Sequence, residues 1–304
     1  MTDTVKPLPC SDQALARADP IYGTASAGQT WLLLELEGAW GPMAFLQSPG
    51  IIEPQLGRAV VKRAEAAKMR IAAIRRHGRR SGTPRWRWFV AHAGLGAEAL
   101  HHGEVSDPRE YLDIALDGSD GRLFDGPLVA VCAHGKHDQC CAVRGRAAVS
   151  AIAAAYPETT WECSHLGGDR FAATMLILPE GLCYGRVDQT DAAGLVTRYL
   201  EGRLDDTYLR GRTSLPHVVQ AAQHYAREEL GDDRIQAYAP LEVEPGDGMT
   251  RVVLSCDGGA VEVTVREQMS EPLLSQCSAT VPGRVRTYEL VSIQGADASG
   301  SPAP

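Results

Sequence analysis

Hydrophobic positions along the chain form short apolar runs and amphipathic stretches whose order repeats. The first set predicts a strand at Thr30 to Leu36, a helix at about Pro54 to Arg76, two strands (WRWFVAH and ALHHGEV) and a short helix opening at SDPREYLDIAL. The second predicts a strand at Pro127 to Ala133, a helix (CAVRGRAAVSAIAAAYP), three strands (TTWECSH, FAATMLILP and GLCYGRV) and the helix DAAGLVTRYLEGR. This order favours an α+β fold, with helices packed on a mixed sheet, and a structural pseudo-duplication.

A third region follows the repeat. TSLPHVVQAAQHYAREELG predicts an amphipathic helix that is capped by Ser214 and ends at Gly231. RVVLSCDGGAVEVTVREQ predicts a β-hairpin turning at DGG, and RVRTYELVSI predicts one more strand. The expected organisation is an N-terminal α/β domain over 1–124, a second domain over 125–206, a helix and hairpin extension over 207–292, and a disordered tail over 293–304.

Composition narrows the classes of function. The 304-residue chain has a net charge of −8, which argues against nucleic-acid binding. It has no apolar run of about 18 residues and no signal-peptide pattern at its start, so we expect a cytoplasmic protein without a membrane segment. In a reducing compartment, clustered cysteines are more often metal ligands or redox thiols than disulfides. The scattered Cys10, Cys183, Cys256 and Cys277 are expected to be buried as small hydrophobic residues.

One segment has the opposite charge. Arg58 to Arg87 contains eleven Lys and Arg and a single acid, Glu65. The simpler interpretation is a solvated helix face. The alternative is a docking surface for an acidic electron-transfer partner or an anionic cofactor.

The residues with the clearest chemistry lie in VCAHGKHDQCC and WECSHLGGDRF. Cys132 ends a predicted strand and Cys141 begins a helix, with eight residues between them. His165 follows a strand and is four residues before Asp169. Thiol, imidazole and carboxylate donors in this arrangement predict a zinc ion or an iron–sulfur cluster. His134 and His137 are expected to be surface groups or hydrogen-bond donors rather than ligands.

These motifs, together with CSDQALARADPIYGTAS and YLRGRTSLPHVVQAA, resemble the sucrase/ferredoxin-like family, which includes the Apd-type iron–sulfur proteins. The resemblance implies that the domain over 125–206 is a thioredoxin-like ferredoxin domain. The similar domain before it is expected to carry no cluster, because only the second copy holds these motifs. The resemblance further implies a [2Fe-2S] cluster held by two cysteines, at Cys132 and Cys141, and two histidines. The first histidine falls on His165, whereas the second falls on Asp169. The sequence has no carboxylate pair typical of a glycosidase, so the resemblance does not extend to sucrose cleavage.

The identity of the fourth ligand is therefore open. Asp169 is the first choice, although its oxygen is a harder donor than imidazole or thiolate. Cys163 precedes His165 by two residues and would share its face in a strand. Cys140 is adjacent to Cys141, but neighbouring helix residues point about 100° apart. An anionic Asp169 in place of a neutral histidine predicts a lower reduction potential than that of a two-histidine relative.

We expect an electron carrier rather than an enzyme with its own substrate, and its redox partner is unknown. Two alternatives belong to other classes. A thioredoxin-like thiol oxidoreductase would normally carry two cysteines separated by two residues, and this chain has an adjacent pair instead. A zinc-stabilised interaction protein would use the same donors as the cluster.

Overall fold

A mixed sheet of ten strands is the largest element of the computed structural model, which describes residues 8–78 and 86–296. Its spatial order is β10-β9-β8-β6-β7-β2-β1-β3-β4-β5. In chain order the strands are β1 (Thr30–Glu35), β2 (Arg70–Arg75), β3 (Trp86–His92), β4 (Ala99–Val105), β5 (Arg122–Leu123), β6 (Leu128–Cys132), β7 (Thr160–Cys163), β8 (Met175–Leu178), β9 (Leu182–Tyr184) and β10 (Leu209–Arg212).

The two halves of this sheet have the same topology. In the first half β1 is parallel to β2 across helix α2 (Pro54–Ala66), and β3, β4 and β5 follow in antiparallel order. In the second half β6 is parallel to β7 across helix α3 (Gln139–Ala155), and β8, β9 and β10 follow in the same way. The α+β class and the pseudo-duplication predicted from the sequence are confirmed, with a four-strand core order in each half that is thioredoxin-like.

The predicted helix from Pro54 to Arg76 is wrong in its second half. Helix α2 ends at Ala66, and Lys68 has a φ of 57°, so the chain reverses there. Residues of RIAAIR instead form β2, whose central positions are buried. A basic stretch with apolar residues every three or four positions fits a helix, but a short buried strand presents the same apolar residues.

Some of the other predicted helix ends are confirmed, and others differ from the structure. Helix α5 (His217–Leu230) ends at Gly231, which has a φ of 76°, as predicted. Its N-cap is Pro216 rather than Ser214. Helix α1 (Cys10–Ala16) precedes β1, and helix α4 (Ala192–Leu200) lies between β9 and β10. Asp191 caps α4 by accepting a hydrogen bond from the N–H of Gly194. The expected helix at SDPREYLDIAL is a single 3-10 turn over Pro108–Leu112, capped by Asp107.

The C-terminal extension is a four-stranded antiparallel sheet that packs on α5. Its strands are β11 (Pro240–Pro245), β12 (Met249–Cys256), β13 (Gly259–Met269) and β14 (Arg286–Ala296). Val219 and Ala222 of α5 share a buried cluster with Val252 and Val263 of the sheet. The hairpin at DGG is present, whereas β11 was not expected. Strand β14 includes residues 293–296, which we had assigned to the tail; the rest of that tail, 297–304, lies outside the described residues.

The second half-sheet positions the candidate site. Apolar strands β6 and β8 are buried throughout, so they fix the ends of the loops that leave them. Across residues 8–78 and 86–296, no helix has both the length and the apolar character that crossing a bilayer requires.

Candidate metal centre

Cys132 and Cys141 flank a loop between a strand and a helix. Cys132 is the last residue of β6 and Cys141 is the third residue of α3, and both are buried. Asp138 caps α3 because its Oδ1 accepts a hydrogen bond from the N–H of Cys140, at 2.7 Å. A Cβ at Gly145 would lie 1.9 Å from the carbonyl oxygen of Cys132, so glycine lets the helix pack directly on the strand end. The two thiols therefore face each other across this junction.

His165 and Asp169 lie on the loop that leaves β7. Gly167 and Gly168 have φ values of 95° and 83°, which turn the loop back so that Asp169 begins a short 3-10 helix. The Nδ1 of His165 is 3.0 Å from Oδ1 of Asp169. The Cys141 thiol donates to the same oxygen at 3.4 Å. Asp169 thus contacts both halves of the site.

Two overlapping sets of potential donors share His165. Cys132, Cys141 and His165 each offer a ligand atom, and these atoms lie within 4.8 Å of one another. The same holds for His137, His165 and Asp169. The site therefore has a thiol side and an imidazole and carboxylate side.

His137, expected to be a surface group or a hydrogen-bond donor, lies beside His165 and Asp169. Its ring stacks on that of His165 with centroids 3.8 Å apart, and its Nε2 is 3.8 Å from Oδ2 of Asp169. Its Nδ1 is 3.4 Å from the carbonyl oxygen of Pro42. Imidazoles that bind metals commonly donate their second N–H to such an oxygen. No spacing rule singles out His137, because its contacts to His165 and Pro42 come from distant parts of the chain.

The ionisable side chains of the site shift one another's pKa. The neighbouring thiol of Cys141 lowers the pKa of Cys132 well below its usual value despite burial, and the contact with Cys132 raises the pKa of Cys141. Burial disfavours a charged His165, but Asp169 and Cys132 outweigh that effect and raise the pKa of His165 to about 9. Burial also opposes charge on Asp169, and His165 nevertheless lowers the pKa of Asp169. The Cys132 thiol and the Asp169 carboxyl thus favour positive charge at His165, and a metal cation can supply that charge in place of a proton.

Cys163 and Cys140, the two alternative fourth ligands, lie outside the donor sets around His165. Cys163 is fully buried in β7, where it pairs in register with Cys132, and burial raises the pKa of Cys163. His165 lies beyond the end of β7, so strand alternation does not put these two side chains on one face. The Cys140 thiol contacts Cys10 and Cys277, away from Cys141. Within the described ranges, neither thiol belongs to the donor sets around His165.

Comparison with known protein families bears on this arrangement. The model of the family described as sucrase/ferredoxin-like matches residues 21–211, which include both motifs. The chain belongs to the sucrase/ferredoxin-like family. Neither the curated proteins nor the solved structures gave a match.

In this sucrase/ferredoxin-like chain, buried arginines support the loop that carries the donors. Arg210 is fully buried and donates to the carbonyl oxygen of Gly167 at 2.8 Å. The guanidinium of Arg170 pairs with buried Asp19 at 2.7 Å. His134 donates from Nε2 to the carbonyl oxygen of Gly41 at 2.7 Å. These groups hold the polypeptide rather than contribute donors.

Proposed function

We propose that this protein binds a [2Fe-2S] cluster through Cys132, Cys141, His165 and Asp169 and acts as an electron carrier. The observation that supports this most is the division of the donors into two thiols on one side and imidazole and carboxylate on the other. Mixed ligation of this kind, with cysteines on one iron and histidines on the other, occurs in [2Fe-2S] centres. Membership of the sucrase/ferredoxin-like family is consistent with it.

The donors divide between two sides that share His165, which is the division that mixed ligation of a two-iron cluster uses. A structural zinc and a [2Fe-2S] cluster each take four protein ligands, so the number of donors fits both. Here His165 belongs to both donor sets, and with His137 the site offers five side chains. The Nδ1 of His165 is buried and has no hydrogen bond of suitable geometry. A buried nitrogen without such a bond is available to a metal.

Asp169 is the preferred fourth ligand because it contacts the donors on both sides. Its Oδ1 is within 3.0 Å of His165 and 3.4 Å of the Cys141 thiol. His137 is the second choice, since its Nε2 faces Asp169 and its Nδ1 faces a backbone carbonyl. Cys163 and Cys140 rank below both because, among the described residues, neither thiol belongs to the donor sets around His165.

A bound [2Fe-2S] cluster supplies one-electron transfer. The chain's own groups set the conditions for it. Strand β6 and helix α3 hold the two thiols in a buried environment, whereas His165 retains a side-chain exposure of 30%. His165 is thus the donor closest to solvent among these four, and it offers a route for a proton and for contact with a partner. The Asp169 carboxylate adds negative charge, which disfavours reduction.

The decisive experiment is anaerobic purification of the full chain followed by visible spectroscopy and assays of iron and acid-labile sulfide. We expect a coloured protein with about two irons and two sulfides per chain. Cys132→Ser should be colourless, and Cys256→Ser should match the parent, because Cys256 is the last residue of β12 in the C-terminal sheet. A colourless parent that contains only zinc would support the zinc alternative. A colourless, metal-free parent with a reducible Cys132–Cys141 disulfide would support a thiol oxidoreductase.

The redox partner and the compartment are proposals as well. We propose a cytoplasmic location because all eight cysteines are free thiols. We also propose that an acidic partner docks on the basic segment Arg58 to Arg87. Several of its cations bond internally, as Arg63 does to the carbonyl of Ile114 and Arg75 to Glu162. Exposed Arg58 and Lys62, one helical turn apart on α2, are therefore the cations to test.

Charge reversal tests this docking surface. Arg58→Glu with Lys62→Glu should slow reduction by an acidic donor at low salt, and the difference from the parent should shrink as ionic strength rises. Reversal of Arg266, on the distant C-terminal sheet, is the matched control. Equal rates for both variants at low salt would exclude α2 as the docking surface and leave the cluster proposal intact.

A further inference from the structure

A second group of thiols lies next to the proposed cluster site but separate from it. The sulfurs of Cys10, Cys140 and Cys277 form a triangle with sides of 3.6, 3.3 and 3.5 Å. They come from the start of α1, the first turn of α3 and the segment between β13 and β14. Cys10 and Cys277 had been expected to be unrelated buried residues. Cys277 is instead exposed, and the fold brings both to Cys140.

The spacing of the three sulfurs suits a metal better than a disulfide. A disulfide joins two sulfurs at about 2.0 Å and would leave the third thiol unpaired. Three thiolates on a tetrahedral zinc, each about 2.3 Å from the ion, lie about 3.8 Å apart. The observed sides are close to that value, and all three cysteines are free.

Two of the three sulfurs accept hydrogen bonds, and such bonds stabilise a thiolate. The N–H of Cys10 points to the sulfur of Cys277 at 3.5 Å, and the hydroxyl of Ser11 donates to the sulfur of Cys140 at 3.2 Å. Arg144 holds that hydroxyl, since its Nε donates to the Ser11 oxygen at 2.9 Å. Such outer contacts orient ligands and stabilise their charged form.

Asp138 supplies a fourth donor. One of its oxygens lies within 4.8 Å of the three sulfurs. Its Oδ1 and Oδ2 accept the N–H groups of Cys140 and Cys277, at 2.7 and 2.8 Å. A carboxylate has about four acceptor positions, so two remain for a cation. The same side chain therefore fixes the backbone of two of the three cysteines.

We propose that Cys10, Cys140, Cys277 and Asp138 bind a structural zinc ion. Thiolate-rich tetrahedral sites select zinc, and exposed Cys277 gives the ion a path from solvent. The ion joins the start of the described chain to the C-terminal sheet and to the first turn of α3. Because Cys141 follows Cys140 directly, the zinc also fixes the helix start that presents a thiol to the proposed cluster. Cys10 and Cys277 lie outside residues 21–211, so the family match does not supply this site.

Metal analysis of the full chain, grown with iron and zinc and purified anaerobically, tests the proposal. We expect about one zinc per chain in the parent. Cys277→Ser should weaken zinc binding by more than the roughly 100-fold that loss of an outer-shell contact costs. Its iron content should stay at the parental level or fall only in part. Cys132→Ser should retain zinc, and Cys256→Ser should retain both metals.

A second measurement needs no variant and so does not depend on a substituted chain folding. Zinc should protect Cys277 from alkylation in the parent, and a chelator should expose it, as read by peptide mass spectrometry. The proposal is overturned if Cys277→Ser keeps parental zinc, if the parent takes up no zinc, or if the parent contains a disulfide among these three cysteines. Loss of iron rather than zinc in Cys277→Ser would also overturn it. A colourless parent with zinc that depends on Cys277 would contradict the cluster proposal alone.

Discussion

At the scale of single residues, the notable feature of the site is position 169. The chain has an aspartate there, whereas the family resemblance places a histidine. The oxygens of Asp169 contact His165 and Cys141, while His137 stacks on the far side of the His165 ring. As a ligand, Asp169 would add an anion to the proposed cluster, which the thiolates already make negative. Ligand charge is one of the main determinants of cluster potential, so this exchange has a measurable consequence.

Substitution of Asp169 by histidine should retain the cluster and raise its reduction potential by on the order of 100 mV, because a neutral ligand replaces an anionic one. Asp169→Ala should lose the cluster or bind it weakly. Protein-film voltammetry and the visible spectrum measure these effects on anaerobically purified protein.

His137→Ala is the control for this prediction, and it should change the potential much less than Asp169→Ala does. If Asp169→Ala keeps the parental spectrum and potential while His137→Ala bleaches, His137 is the fourth ligand. Bleaching of Cys163→Ala instead would assign that role to the buried thiol of β7.

The ion pair between Asp19 and Arg170 gives a pH dependence of stability. Burial alone disfavours the Asp19 carboxylate, but Arg17 and Arg170 outweigh it and lower the pKa of Asp19 below its usual value. The stabilisation is therefore complete above the unfolded pKa of about 3.9 and is lost as pH falls through the lower, folded pKa. Asp19→Asn should lose about 3 kcal/mol of unfolding free energy near neutral pH, because Arg170 is left buried without its partner.

Urea unfolding of metal-free protein from pH 6 down to pH 3 measures this effect. The difference between the parent and Asp19→Asn should shrink as the solution becomes more acidic. Asp117→Asn is a control, since Asp117 lies on the surface and its pKa is lowered mainly by Ser119. A constant gap between the parent and Asp19→Asn across this range would mean that Asp19 stabilises the fold by packing rather than by charge.

At the scale of elements, the loop after β7 is fitted around an arginine. A Cβ at Gly168 would lie 2.3 Å from a guanidinium nitrogen of Arg210, and one at Gly167 would lie 2.4 Å from the hydroxyl of Ser26. Arg210 cannot move aside freely, because it bonds the carbonyl of Gly167 and the hydroxyl of Thr24. Glycine at position 168 therefore leaves the space that the side chain of Arg210 occupies.

Gly168→Ala should therefore destabilise the protein by about 2–4 kcal/mol, the sum of an unfavourable φ and a steric clash. It should also lower iron content, because the loop carries His165 and Asp169. Gly202→Ala separates the two causes: Gly202 has a similar φ of 76° and open space around its Cα. That control should cost only about 1 kcal/mol and leave iron content unchanged. Equal losses in both variants would show that Arg210 accommodates the methyl group.

At the scale of the whole molecule, one sheet passes through both halves of the duplication. Strands β2 and β7 pair at Ile74 and Cys163, and Arg75 bonds Glu162 across the junction at 2.6 Å. His77 contacts the other oxygen of Glu162 at 2.9 Å. The domain boundary placed at 124 thus divides a sheet that is continuous in hydrogen bonding.

We expect this continuity to couple the unfolding of the halves. In native-state hydrogen exchange, the most protected amides of β1 and β6 should open with the same free energy, because β2 and β7 join their half-sheets. Glu162→Ala should lower both values together by about 3 kcal/mol, since it leaves Arg75 and His77 without their partner. Separate opening energies in the parent would indicate two independently folding units.

Strands, helix ends and candidate ligands that depend on nearby residues could be predicted from the sequence alone. Apolar runs such as those of β1, β6 and β8 bury both faces, and amphipathic α5 ends at a glycine, so local periodicity and capping sufficed to predict them. The boundary between α2 and β2 failed because a short buried strand and a helix face share the same spacing of apolar residues. Cys132, Cys141, His165 and Asp169 were proposed from two motifs whose members are close in sequence.

Contacts between residues far apart in sequence could be found only from the tertiary structure. The stack of His137 on His165, the position of Arg210 behind Gly168 and the triangle of Cys10, Cys140 and Cys277 join segments far apart along the chain. A thiol isolated in sequence looks like any small buried side chain, because its chemistry depends on its neighbours. The packing of helices on the sheet determines those neighbours. Because that packing depends on contacts across the whole fold, no pattern in a short stretch of sequence predicts them.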